Sequence, residues 1–159
     1  MNMHPIPMIS AEEKSRNIIK AHSSPRKRFG KIMHQPGDYD NEVINFMLSE
    51  SYMQPHMHLG KEKIEKMYLI DGAFSLFLFD DSGIITDKYT LRKGGIEFIE
   101  VPAFTWHTYV MQTEAVVIYE TMEGAYDPLT WKNMASWAPI ENTQEGIAYL
   151  QYLKNQVDI

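Results

Sequence analysis

The stretch Gln54-Pro55-His56-Met57-His58, followed by Glu65, decides the fold of this chain. Side chains alternate between the two faces of a β-strand, so two histidines at positions i and i+2 point to the same side. Imidazoles that converge on one face can share a cation, and a carboxylate and a third imidazole from other strands can complete the coordination shell. A second stretch, residues 100–107, ends on such an imidazole at His107. The pattern therefore predicts a metal site inside a β-barrel.

The order and spacing of these residues resemble the two motifs of the cupin superfamily. The first motif reads His56-x-His58, six residues, Glu65, six residues and Gly72. The second reads Gly95, six residues, Pro102, four residues and His107. The resemblance implies a mainly β fold, a single cupin barrel (a jelly roll, or double-stranded β-helix). It also implies one divalent metal ion held by His56, His58, Glu65 and His107.

Two departures from the cupin pattern affect the candidate site. The connection between His58 and Glu65 is longer than usual, so Glu62 competes for the role of the carboxylate ligand. Glu65 is favoured because a turn-forming glycine, Gly72, follows it at the motif spacing, whereas the same step from Glu62 reaches the middle of a predicted strand. The glycine that cupins often carry two residues after the motif proline is Phe104 here.

A narrower resemblance extends over most of the chain, to the WbuC-type cupin fold metalloproteins. That family is associated with polysaccharide and O-antigen gene clusters, which implies a role in polysaccharide or lipopolysaccharide metabolism without naming a reaction. The segments that carry the resemblance are Pro25–Arg28, Met33-His34, Pro55–His58, Lys63–Glu65, Leu78–Gly83, Trp106-His107, Gly124–Pro128, Lys132 and Trp137–Glu141.

Composition limits the classes of partner. The 159 residues favour one domain covering residues 1–159. A formal charge of −6 argues against binding to nucleic acid or to anionic membranes, both of which need a basic surface. The chain has no cysteine, which excludes disulfides and thiolate ligands and fits a cytoplasmic protein. No apolar run approaches the roughly 20 residues of a membrane span.

The hydrophobic pattern predicts a β core with a helix at each end. Many short β-rich segments separated by turns occupy residues 28–122, which is typical of a sandwich or barrel. Capping-box patterns at Ser10–Glu13 and Asn142–Glu145 predict helices over residues 11–20 and 142–155. Large apolar residues near the N-terminus and in residues 131–139 could cover a face of the barrel or join an interface, and we expect a homodimer.

The pocket beside the metal is predicted from three residues, Arg26, Arg28 and His34. Arg26 and Arg28 belong to a basic cluster that is either a solvated strand edge or an anion clamp. His34 is interpreted as a pocket or structural residue, since four ligands are already supplied. No catalytic residue can be named from the sequence.

Several functions are compatible with this site. Three imidazoles and one carboxylate leave one or two positions open on Fe, Mn, Ni or Zn, which is typical of a catalytic or ligand-sensing centre. The favoured hypothesis is a metal-binding protein that acts on a small polar or anionic molecule such as a sugar or sugar nucleotide. If it is an enzyme, a metal-dependent isomerase or epimerase is one candidate. The alternatives are a non-catalytic ligand-binding or sensing module and a non-haem iron dioxygenase.

Overall fold

Two helices and ten strands make up residues 6–157, the part of the chain that this computed structural model describes. The helices are α1 (Ala11–Ser23) and α2 (Gln144–Gln156). The strands are β1 (Arg28–Ile32), β2 (Asp40–Leu48), β3 (His56–Met57), β4 (Glu65–Asp71), β5 (Ala73–Phe79), β6 (Ile85–Arg92), β7 (Phe98–Val101), β8 (Trp106–Met111), β9 (Ala115–Glu123) and β10 (Asn133–Met134). The expected mainly β fold with a short helix near each end is confirmed. Residues 1–5 and 158–159 of the predicted domain lie outside the described range.

The strands form two antiparallel sheets of five strands each within residues 6–157, in the orders β1-β2-β9-β4-β7 and β10-β3-β8-β5-β6. Several neighbouring strands, such as β2 and β9 or β3 and β8, are far apart in the sequence, as in a jelly roll. Strand β3 is short, and His58 lies just beyond its end rather than within it. Strand β10, which pairs with β3, was not predicted. Its two residues are too few to show a period of alternation.

Alternation along the strands divides each sheet into an inner and an outer face. The inner faces meet in one apolar cluster. Its buried members include Met47, Met67, Leu69, Phe74, Leu76, Met111, Val116 and Ile118. Glu65 precedes Met67 and Leu69 by steps of two, and His107 precedes Tyr109 and Met111 in the same way. The polar residues of the predicted site therefore continue the inner core toward one end of the barrel.

Each sheet is covered on its outer face by one helix. Ile18 of α1 packs with Ile44, Phe46 and Tyr119 of the first sheet. Leu150 and Leu153 of α2 pack with an outer cluster of the second sheet that includes Phe77, Phe79 and Val110. Because both faces of the central strands are covered, β9 is buried along almost its whole length instead of alternating.

The helix starts follow capping chemistry, with one shift from the sequence-based expectation. The Ser10 hydroxyl accepts a hydrogen bond from the Glu13 N–H at 3.1 Å, as predicted. At α2 the cap is Thr143, whose hydroxyl accepts from the Gly146 N–H at 3.0 Å. Asn142, the predicted start, has a φ of 61° and lies outside the helix. A left-handed residue cannot serve as the extended N-cap.

Gly83 shows why a glycine closes the hairpin between β5 and β6. Its φ is 88°, in the left-handed region that glycine adopts without strain. A Cβ at this position would lie 2.6 Å from Cε3 of Trp137. Trp137 in turn packs on Phe79 and Trp106, with ring centroids 5.0 and 6.1 Å away. Trp137 can therefore approach the turn this closely because residue 83 is a glycine and has no side chain.

We expect Gly83→Ala to destabilise the protein more than Gly94→Ala. Both glycines have a positive φ, so each substitution carries left-handed strain of about 1–2 kcal/mol. At Gly94 no atom lies within 4 Å of the added Cβ, whereas at Gly83 the indole must also move. Urea unfolding of the two variants isolates the packing cost. Equal losses of free energy of unfolding would show that Trp137 does not hold this turn.

Candidate metal centre

Four buried side chains converge at the polar end of the inner core. The candidate ligand atoms of His56, His58, Glu65 and His107 all lie within 4.8 Å of one another. Ligands that share one ion at about 2.0–2.2 Å are separated by up to roughly 4.4 Å. The cluster therefore has close to the dimensions of a single coordination shell, and it could hold one metal ion.

Backbone carbonyls orient all three imidazoles. Nδ1 of His56 lies 2.9 Å from the Gln54 carbonyl, and Nδ1 of His107 lies 2.8 Å from that of Thr105. Nδ1 of His58 lies 2.7 Å from the carbonyl of Trp131. A carbonyl oxygen can only accept, so each Nδ1 carries a proton and donates. In the neutral rings the lone pairs are therefore on Nε2, as metal ligation requires.

The charges in the cluster also fit a cation. Nε2 of His107 lies 2.8 Å from Oε2 of Glu65, and Nε2 of His58 lies 3.5 Å from the same oxygen. A neutral imidazole lone pair facing a carboxylate oxygen is a contact between two acceptors, which a proton or a metal ion must bridge. Burial alone would raise the pKa of Glu65, but its contacts with the rings of His107 and His58, which become hydrogen bonds when Nε2 is protonated, hold that pKa well below its usual range. Burial, with the charges of His107 and Lys132, lowers the pKa of His56. An ionised carboxylate beside a neutral imidazole is a ready ligand pair.

The carboxylate in the cluster is Glu65, not its rival Glu62. Glu65 begins β4 and faces the barrel interior with Met67. Glu62 lies before the strand, and its carboxylate packs close to Gly60 and Gly124. The extra residues after His58 are accommodated in this loop.

Phe104 occupies a strained position next to the cluster. Its φ is 58°, and its N–H donates to the carbonyl of His58 at 3.0 Å. Glycine adopts this conformation without strain, whereas a side chain costs about 1–2 kcal/mol in the left-handed region. Phe104 therefore carries strain at a position where the sequence pattern predicted a glycine.

Beside the cluster lies a cavity of about 390 Å³. All three residues predicted for the pocket line it, together with His56, His58 and Glu65. Arg26 lies at the exposed rim, where its Nε makes one long contact of 3.4 Å with Glu141. The cavity thus combines the candidate metal ligands with a positively charged edge.

Arg28 lines the cavity, but its guanidinium is already engaged. It donates to Oε1 of Glu141 at 2.7 Å, to the hydroxyl of Ser51 at 3.2 Å and to the carbonyl of Tyr52 at 3.3 Å. These bonds offset the cost of burying the charge. Glu141 thereby ties the loop before α2 to β1.

His34 is half-buried, and its ring lies against the backbone of β2. Nδ1 of His34 lies 3.0 Å from the backbone nitrogen of Glu42 and 3.1 Å from the carbonyl oxygen of the same residue. Either neutral tautomer satisfies one of these two contacts. The backbone of Glu42 therefore holds the ring of a residue that lines the cavity.

The sequence analysis missed a second buried carboxyl group in the cavity, Glu120. The hydroxyl of Tyr109 donates to its Oε1 at 2.6 Å, and Asn45 donates to its Oε2 at 2.6 Å. Burial, followed by the charge of Glu65, raises the pKa of Glu120 to about 8. The signal was available, because Glu120 follows Val116 and Ile118 by steps of two on the inner face of β9.

The sequence profile of a domain of unknown function, DUF6016, matches residues 9–91, just over half of the chain. The chain belongs to the DUF6016 family. Three of the four clustered residues fall inside the matched region, and His107 falls beyond it. Curated proteins provide no match to this DUF6016 chain.

Solved structures show which fold this DUF6016 protein has. It is similar to protein SO0799 from Shewanella oneidensis at 10% identity, over 82% of this chain and 84% of that one, with a TM-score of 0.57. It is similar to the structure described for the DMSP lyases RdDddP and RnDddQII at 14% identity, over 69% and 53%, with a TM-score of 0.53. It is similar to KdgF from Halomonas sp. at 21% identity, over 67% of this chain and 86% of that one, with a TM-score of 0.51. These are cupin-type folds, so the chain is a single cupin jelly roll. None of the helices in residues 6–157 has the length and apolar character needed to cross a membrane.

We expect His58→Ala to lose most of the bound metal, whereas His22→Ala retains it. His58 contributes one of the four clustered ligand atoms, while His22 lies exposed in α1. Losing a direct ligand should cost more than the roughly 10–100-fold in affinity typical of losing a group that only orients one. Elemental analysis of the two purified variants measures the difference. Equal metal content would contradict the assignment.

Proposed function

We propose that the protein is a metal-dependent enzyme that binds one divalent ion at His56, His58, Glu65 and His107 and acts on a small oxygen-rich anion. The observation that carries the proposal is the set of three carbonyl-oriented imidazoles around a buried carboxylate, next to a cavity with a positively charged rim. A metal site closed for structural purposes would not need such a cavity.

The charge of the site favours an anionic ligand. One ionised glutamate leaves a net charge of +1 around a divalent ion. When bound, that ion would supply an electrophile that polarises a carbonyl or hydroxyl oxygen of the substrate. Arg26, whose side chain is about half exposed at the rim, adds a second cation, and His34 adds an imidazole to the lining of the cavity.

The cavity volume favours a small substrate. About 390 Å³ is near the lower end of the roughly 300–1,000 Å³ range of ligand pockets. A monosaccharide or a sugar acid fits this volume better than a complete sugar nucleotide. The WbuC resemblance supports placing such a substrate in polysaccharide metabolism.

The expected homodimer stays a prediction. Trp137, one of the large apolar residues considered for an interface, packs against Phe79 of its own barrel.

Glu120 supplies a group suited to moving a proton. In the metal-free protein, burial and then the charge of Glu65 raise the pKa of Glu120 to about 8, and a carboxyl in this range can both donate and accept a proton near neutral pH. Tyr109 and Asn45 hold its two oxygens in place. This arrangement supports isomerisation or epimerisation, in which one residue delivers or removes a proton while the oxygen of the substrate is held nearby.

Metal identity separates this proposal from the iron dioxygenase alternative. Elemental analysis of the protein purified without added metal measures it directly. Zinc would argue against oxygenation, since it has no redox chemistry, and iron would favour it. Turnover assays with aldoses, ketoses and sugar acids would then separate an enzyme from a binding module.

We expect citrate to bind the metal-loaded protein and to bind much more weakly after the metal is stripped. Its carboxylates are hard oxygen ligands that can displace water from the open coordination positions. Titration calorimetry on the same preparation before and after chelation provides a matched comparison. Unchanged affinity after stripping would refute a metal-bound anion.

We expect the free energy of unfolding of the metal-stripped wild-type protein to fall, relative to Glu120→Gln, as the pH rises from about 4.5 to about 8. The folded protein holds a proton on Glu120 that the unfolded chain releases near pH 4.5, so stability present at low pH is lost until the folded pKa is passed. Urea unfolding at several pH values measures both proteins. Parallel pH profiles would show that Glu120 has an ordinary pKa.

A further inference from the structure

Lys132 is fixed in place by the same backbone that orients the candidate metal ligands. It follows Trp131, whose carbonyl accepts the Nδ1 proton of His58 at 2.7 Å. It precedes β10, which pairs with β3 through Asn133 opposite Met57 and Met134 opposite His56. Lys132 lines the cavity that contains His56, His58 and Glu65. Its position therefore depends directly on the strand that carries His56 and leads into His58.

The ammonium group of Lys132 has no hydrogen-bond or ion-pair partner among residues 6–157. The carboxylates whose charges act on it are those of Glu65 and Glu141. Both have closer partners, since Glu65 contacts His58 and His107, while Glu141 pairs with Arg28. Burial, with the charges of Arg28 and Arg26, lowers the pKa of Lys132. Lys132 is partly buried in the wall of the cavity. A partly buried cation without a counter-ion is costly, which indicates that its counter-ion comes from solution.

The other cations of the cavity cannot substitute for Lys132 in the same way. The guanidinium of Arg28 is held by Glu141, Ser51 and the carbonyl of Tyr52. Arg26 lies at the exposed rim, where water screens its charge. The charge of Lys132 interacts with both Glu65 and Glu120, two buried carboxyl groups that line the cavity.

We propose that Lys132 binds the acidic group of the ligand, an oxyanion such as a carboxylate or phosphate, while other oxygens of the same molecule face the metal ligands and Glu120. This inference rests on the proposed function and narrows the substrate class to small acids that also carry hydroxyl or carbonyl oxygens. Sugar acids and sugar phosphates have this chemistry. A neutral sugar would leave the ammonium without a partner.

The test uses titration calorimetry with inorganic phosphate and with malonate as probes, on metal-loaded and metal-stripped protein. The variants are Lys132→Met and Lys132→Arg, and the control is Lys61→Met, which removes an exposed cation outside the cavity. We expect Lys132→Met to weaken binding at least tenfold, Lys132→Arg to stay within a few-fold of wild type and Lys61→Met to have no effect. The oxyanion with the larger loss identifies the acidic group.

The outcomes separate this inference from the proposed function. If binding requires the metal but is unchanged in Lys132→Met, the inference is wrong and the metal-bound anion stands. If the stripped protein binds the probes as well as the loaded one, and Lys132→Met abolishes binding, the lysine site stands and the metal-bound anion fails. Failure of both probes to bind the metal-loaded wild type overturns both.

A thermal measurement keeps the inference testable without any ligand. A lysine kept for binding at the expense of stability should, when replaced by methionine, raise the unfolding temperature of the ligand-free protein by a few degrees. If Lys132→Met does not fold, Lys132→Gln takes its place in the titration calorimetry and in the thermal unfolding. Unfolding temperatures below that of the wild type for Lys132→Met and Lys132→Gln would assign Lys132 a structural role and overturn the inference.

Discussion

The arrangement of acceptor atoms around Glu65 is the constraint on which the rest of the site depends. Three Nδ1 protons are donated to backbone carbonyls, which leaves three Nε2 lone pairs grouped around a carboxylate. Such a group is repulsive unless a cation lies between its members. The barrel must therefore hold the rings firmly. It does so with three backbone carbonyls, those of Gln54 before β3, Thr105 before β8 and Trp131 before β10.

The surrounding fold supplies rigidity at the end of the barrel where the site lies. The inner core is apolar below the cluster and becomes polar where the three clustered histidines, Glu65, Tyr109 and Glu120 lie. The helices α1 and α2 cover the outer faces, so the strands that carry these residues are packed on both sides. A packed interior at near-crystalline density leaves little freedom for the ligands to move.

The charged residues that line the cavity are of two kinds, those already paired within the protein and those free to interact with a ligand. Arg28 and Glu141 form a buried pair that stabilises the wall, with further bonds to Ser51 and Tyr52. Lys132 has no such pairing, and Glu120 is bonded only to neutral donors. A buried polar group that already has its hydrogen-bond partners contributes to the structure. A group without a partner can gain a hydrogen bond or an ion pair when a ligand binds, and this gain favours binding.

The sequence by itself determined the features that arise from neighbouring residues. Period-two alternation, the motif spacing and the turn glycines predicted the β-barrel, the four clustered residues and the choice of Glu65 over Glu62. Only the tertiary structure decided that Arg28 is engaged by Glu141, 113 positions away, and that Asn45 and Glu120, 75 positions apart, share a hydrogen bond. Local patterns report which face a side chain occupies but not which distant group will meet it there. Partners at such separations are selected by strand order and register, which a single sequence does not display.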